Sequence, residues 1–139
     1  MPIVTPTLHF KGQCEEAISM YKKAFDAKVT FLMRYADADS KDYNKQLTNV
    51  QKNMIYHSEI LIGNQRLMLA DEFDYDLTES VSEFMTITFD TDEEVKLAYE
   101  LLVEEGTVIY PLRSTTYSSC MASIIDKFGF RWGLMTETT

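Results

Sequence analysis

His57 and Glu59 stand two residues apart in MIYHSEILIG, a run whose alternation marks a strand. Residues i and i+2 of a strand face the same side, so this spacing can bring a carboxylate against an imidazole. That is the arrangement of a general base oriented by an acid. A hydrogen-bonded structural pair or a dimer contact is the plainer reading of the same spacing. Arg34, in FLMRYAD, shares a face with Thr30 and Leu32. Turned inward, its guanidinium would receive an anionic or carbonyl group of a ligand; otherwise it would pair with one of the chain's many carboxylates. His9 alternates with Leu8 and Phe10 and reads as a structural strand residue. Nucleophilic chemistry finds little here. Cys14 falls on the apolar stripe of a helix, where a buried thiol is inert, and Cys120 follows Ser118-Ser119 with no histidine near it in sequence.

The elements that must position these groups occur in the same order twice. VTPTLHF (Val4 to Phe10) is a short β-like run ahead of Gly12. Cys14, Ala17, Ile18, Tyr21, Ala24 and Phe25 then recur at helical spacing, with Glu15, Glu16, Lys22 and Lys23 on the other face. KVTFLMRY reads as a strand. ADADSKDYNKQLTNVQKN (Ala36 to Asn53) reads as a long polar loop with a short helix around Lys41 to Thr48, and a loop of this length suits a lid. MIYHSEILIG turns at Gly63-Asn64 into QRLMLAD, a hairpin. DEFDYDLTES (Asp71 to Ser80) is an acidic linker between the halves.

After the linker, SEFMTITFD reads as a strand, and Thr91 with Glu94 forms a capping box. Val95, Ala98, Tyr99 and Leu102 are the stripe of a second helix, with Gly106 as its C′ residue. TVIYPL is a strand ending near Pro111, and SCMASIID and FRWGLMT close the chain as a hairpin around DKFG. Each half therefore reads strand, helix, strand, loop, strand, turn, strand, a βαβββ repeat. We expect an α+β fold of two modules, residues 1–75 and 80–139, together one domain. Helices would cover one face of each sheet, and the other faces would curve into a half-open, mixed-sheet barrel around a cavity.

Composition narrows the function classes. The 139 residues suit one domain or two halves sharing a core, and a chain of this size buries roughly two thirds of its unfolded surface. Two cysteines are too few for a disulfide framework and do not form a metal-type pair. MPIVTPTLHF lacks the basic segment and apolar core of a signal peptide, and no apolar run nears the roughly 18 residues of a membrane span. The expectation is a soluble, cytoplasmic protein. Its net charge of −9, from 22 acidic against 13 basic residues, argues against nucleic acid or an anionic membrane as partner. It is compatible with a cationic small-molecule ligand.

LHFKGQCEEAISMYKKAF, HSEILIGNQRLMLAD and IIDKFGFRWGL, in that order across nearly the whole chain, resemble the vicinal oxygen chelate superfamily. That superfamily holds glyoxalase I, extradiol dioxygenases and bleomycin-resistance proteins. Within it, the three stretches resemble the PhnB-like group, also labelled 3-demethylubiquinone-9 3-methyltransferase. The loop Ala36 to Asn53 and the acidic linker match nothing in particular. The resemblance implies a glyoxalase-like fold, commonly paired as a homodimer. In metal-dependent relatives it also implies one divalent ion, held by His, Glu or Gln side chains from four strands and acting as a Lewis acid.

Laid on this sequence, the four ligand positions fall at Pro6, Met68, Phe84 and Gly133, none of which ligates such an ion. A shift of one residue brings in only Glu83. Neither metal nor cofactor is therefore expected. Methyl transfer finds no cradle either, because the five glycines form no cluster of the kind that holds a nucleotide-like group. Met68 and Phe84 would instead line an apolar, soft-walled pocket, with Trp132 beside it or in the core and Tyr110 and Tyr117 near its mouth. The expected function is metal-free binding of a small molecule, with Arg34, His57, Met68, Phe84, Tyr110 and Trp132 as ligand contacts. The alternative is an enzyme of lyase, isomerase or dioxygenase type, using an unrecognised metal site or His57 and Glu59 as an acid–base pair. A third reading is an interaction module whose dimer is the functional unit.

Overall fold

Leu8 and Phe10 are buried while Thr7 and His9 are exposed, so the first strand, β1 (Thr7–Phe10), has one core face. The computed structural model describes residues 3, 5–39, 46–73 and 84–137. The chain divides into two compact units, Met1–Leu77 and Thr78–Thr139.

In the first unit, β1 leads into α1 (Cys14–Phe25), whose buried residues are Cys14, Ala17, Ile18, Tyr21, Ala24 and Phe25, the stripe read from the sequence. Glu15 and Glu16 stand in its first turn and Lys22 and Lys23 in its last, the arrangement the helix dipole favours. Gln13 offers no side-chain cap. A distant residue does so instead: Asp71 Oδ1 accepts from the Cys14 N–H at 2.9 Å. Three strands follow, β2 (Lys28–Arg34), β3 (Ile55–Ile62) and β4 (Gln65–Asp71), in the order β1-β4-β3-β2. β1 runs parallel to β4, and the other pairs are antiparallel. α1 packs on β3 and β4, and among the described residues no helix packs on the opposite face of the sheet.

The second unit repeats the plan: β5 (Met85–Phe89), α3 (Asp92–Val103), β6 (Thr107–Thr115), β7 (Ser118–Ile125) and β8 (Arg131–Thr136), ordered β5-β8-β7-β6. Thr91 and Glu94 make the expected reciprocal capping box. Val95, Ala98 and Leu102 are buried where α3 meets the sheet. The fold is thus α+β, with two four-stranded mixed sheets of βαβββ connectivity.

Several local expectations need correction. The short helix, α2 (Asn49–Asn53), begins just after the segment expected to hold it, because Thr48 with Gln51 forms a capping box that starts it there. Residues 41–45 of that expectation lie outside the described residues. Asp71 is not linker but the buried last residue of β4. It takes the N–H groups of both Cys14 and Ile55 on its two carboxylate oxygens. The acidic stretch from 74 to 80 lies outside the described residues.

Gly106 does not turn left-handed after α3; Glu105 does, at φ 61°. Gly106 is required for another reason, since a Cβ there would lie 2.5 Å from the Ile125 carbonyl oxygen. Finally, β6 continues past Pro111 to Thr115. Edge position and a register shift between Tyr110 and Arg113 accommodate the residue that lacks an N–H.

Candidate functional site

Registers align one row of residues across each sheet. In the first unit Thr7, Met68, Glu59 and Phe31 are successive cross-strand partners. In the second unit the row is Thr86, Gly133, Ser123 and Tyr110. Both rows lie on the helix-free face, because their strand neighbours, Leu67 and Leu69 or Trp132 and Leu134, are buried against the helix side. Met68 and Gly133 are therefore equivalent positions of the repeat, as are Glu59 and Ser123.

In the first row Glu59 is the centre of a polar line. Its Oε2 lies 3.0 Å from His57 Nε2 and its Oε1 lies 2.7 Å from Arg66 Nε. All three side chains project from β3 and β4 onto the helix-free face, with His57 about one-third exposed (34%) and Glu59 less so (24%). The hydrogen bond from His57, aided by the Arg66 charge, holds the Glu59 carboxyl below the ordinary carboxylate range. The Phe31 ring flanks His57 at a centroid distance of 5.7 Å, and Met68 lies across the strand pair from Glu59. The spacing of His57 and Glu59 thus does produce a contact; Arg66, which completes it, carried no sequence signal beyond its place in the hairpin's second strand.

In the second row Gly133 takes the place of a side chain. A Cβ there would stand 2.9 Å from Thr86 Oγ1 and 3.3 Å from the Phe84 ring, so Phe84 leans over the glycine backbone. Arg131 stacks on that ring at 4.0 Å and donates from Nε to Ser123 Oγ at 3.0 Å. Tyr110, about half exposed, lies under the guanidinium of Arg113 at 5.2 Å. Strict alternation would separate Tyr110 from Arg113, three residues on. The register shift at Pro111 puts them on one face, which is why sequence pattern missed Arg113.

Two expected ligand contacts are elsewhere. Trp132 faces the helix side with no exposed surface, and its Nε1–H donates to Asp126 Oδ2 at 2.8 Å. It is a core residue that also ties down the 126–130 turn, where Asp126 Oδ1 accepts from the Phe128 and Phe130 N–H groups. Arg34 forms a two-pronged ion pair with Glu15 on α1, at 3.1 and 2.7 Å, and donates to the Asn53 carbonyl. It therefore joins helix to strand instead of facing a ligand. Tyr117 stands exposed in the β6–β7 turn.

His9 is exposed on β1, among the residues of the helix-free face. The cysteines are unreactive by environment: burial, reinforced by the Asp71 charge, pushes the Cys14 thiol up to about 12. Burial raises Cys120 as well.

The metal positions implied by the resemblance can be tested on these residues. Met68, Phe84 and Gly133 do lie on the helix-free faces. Pro6 does not enter the row; it contributes a backbone carbonyl to the Met68 N–H, and Thr7 is the residue opposite Met68. A thioether, a phenyl ring, a bare glycine and a hydroxyl do not make a site for a hard or borderline divalent ion. Among the described residues no three His, Cys, Asp or Glu side chains converge as metal ligands would. Nor is any helix among them long and apolar enough to cross a membrane.

Known proteins share this architecture. A family model described as 3-demethylubiquinone-9 3-methyltransferase matches residues 2–135. Protein YjdN of Escherichia coli (strain K12) is 24% identical over 139 residues, spanning 95% of this chain and 92% of that protein. The solved PhnB protein from Bacillus cereus is 24% identical, with a TM-score of 0.80, over 97% of this chain and 99% of that one. A glyoxylase/bleomycin resistance protein/dioxygenase domain from Frankia sp. EAN1pec shares the fold at 9% identity and a TM-score of 0.67, over 99% and 98% of the two chains. Matched over residues 2–135, almost its whole length, the chain belongs to the 3-demethylubiquinone-9 3-methyltransferase family.

Proposed function

We propose that the protein binds a small organic molecule on the helix-free face of its first module, without a divalent ion. The observation that carries this reading is the Arg66–Glu59–His57 line. An ionised carboxylate only accepts hydrogen bonds, so His57 gives its Nε2–H to Glu59 and its other ring nitrogen, Nδ1, is left for a ligand. Phe31 and Met68 beside it supply apolar, polarisable surface, the usual companion of a few placed polar groups in a ligand site.

The family description names methyl transfer, and the described residues do not fit the methyl-donor cofactor that this implies. The glycines with left-handed backbone, Gly12, Gly63 and Gly129, stand singly in three separate turns. No glycine-rich strand–turn–helix is built from them.

A second reading, favoured by the same 3.0 Å contact, makes His57 a general base that Glu59 orients. Binding and catalysis separate in one experiment. Fragments are titrated into chelator-treated protein, and those that bind are incubated with the parent chain and with His57→Ala. Binding without turnover supports the first reading; turnover abolished by His57→Ala supports the second.

A further inference from the structure

The chain carries a net charge of −9, yet the four strands of the second sheet hold no carboxylate. Their charged residues are two arginines, Arg113 on β6 and Arg131 on β8. Both lie on the helix-free face: Arg131 through its contacts with Phe84 and Ser123, and Arg113 through Tyr110 and its pairing with Met121. At physiological salt a charge is felt over roughly 8 Å, so a guanidinium on this face acts on a ligand bound beside it.

We propose that this face binds the oxyanion group of a small molecule, with the Arg113 guanidinium making the contact and Arg131 adding a fixed positive charge. The inference deepens the ligand-binding reading above and rests on it. Arg113 is held against Tyr110 by stacking, and among the described residues the carboxylate of Glu105 pairs with Lys127 and none pairs with Arg113. A guanidinium presents a rigid fork matched to carboxylate and phosphoryl oxygens. Stacking orients that fork before the ligand arrives, which lowers the cost of ordering it. Arg131 is oriented more tightly still, by the Phe84 ring on its face and Ser123 on its Nε. The exposed rings of Tyr110 and Phe84 suit the planar apolar body of an aromatic acid.

The test uses the full chain and three isosteric probes: benzoate, benzamide and benzamidinium, at low ionic strength, followed by amide shifts in NMR. Benzoate should move Tyr110, Met121 and Gly133, with benzamide and benzamidinium weaker by about tenfold or more. Arg113→Gln should weaken benzoate about tenfold, and Arg113→Lys should restore part of the loss. Both substitutions are on an exposed side chain and leave the core intact. Inorganic phosphate moving the same amides where benzoate does not would keep the oxyanion and assign it to the phosphoryl class.

Benzamide binding as tightly as benzoate overturns the proposal while leaving ligand binding in place. Benzamidinium binding best does the same. Shifts that grow with protein concentration alone assign the face to a second copy and overturn it. If no probe moves an amide in either module, the proposal falls, and a fragment screen that also fails on His57 takes the broader reading with it.

Discussion

Glu59 Oε2 and His57 Nε2 lie 3.0 Å apart, and Arg66 holds the other oxygen of the same carboxylate at 2.7 Å. One acidic group thus sets the orientation of an imidazole while being oriented itself. In the folded chain the Glu59 pKa is lowered, first by the His57 hydrogen bond. Glu15 is lowered in the same direction by Arg34. For a depressed carboxylate, the stabilisation is present above the unfolded pKa and disappears as pH falls through the folded one. Urea midpoints measured from about pH 6 down to about pH 3 should therefore drop with acid. The drop should be shallower in the Glu15→Gln/Glu59→Gln double variant. Parallel curves would remove both carboxylates from the acid response.

Trp132 is the single tryptophan of the chain and is fully buried. Its emission should be blue-shifted and poorly quenched by acrylamide. Trp132→Phe deletes the Nε1–H that satisfies Asp126 Oδ2 and should cost about 1–3 kcal/mol of stability. Fragment binding to the first module should be unchanged in this variant. A solvent-quenched tryptophan would return Trp132 to the candidate ligand contacts.

Gly133 is needed because Thr86 and Phe84 occupy the space of its missing side chain. Gly133→Ala should destabilise by about 1–3 kcal/mol through overpacking. Adding Thr86→Ala, which removes the nearer of the two obstacles at 2.9 Å, should recover part of that loss in thermal unfolding. Full stability in Gly133→Ala alone would show that the strand pair opens more easily than its geometry indicates.

Much of this architecture was legible from local pattern. The α1 stripe, the Thr91–Glu94 capping box and the two late hairpins are contained within short windows, where periodicity and turn chemistry act directly. The His57–Glu59 contact was legible for the same reason, as two residues of one strand. What escaped was non-local or register-dependent. The N-terminal cap of α1 comes from Asp71, 57 residues away, and Arg34 found Glu15 across 19 residues. Trp132 and Gly133 are neighbours in sequence, yet they face opposite sides of β8. A one-residue error of parity therefore decides whether a residue is core or surface. Arg113 was hidden by the shift at Pro111, which breaks the alternation that would have located it.

The central claim is ligand binding on the first module's helix-free face without a divalent ion, and the most direct test is an amide-shift fragment screen on chelator-treated protein. The account predicts fragments that shift Phe31, His57 and Met68 together, with no change when a divalent ion is restored. Shifts at these residues that occur only after a divalent ion is added would contradict it, and would mean that the ion is held by residues other than Met68, Phe84 and Gly133.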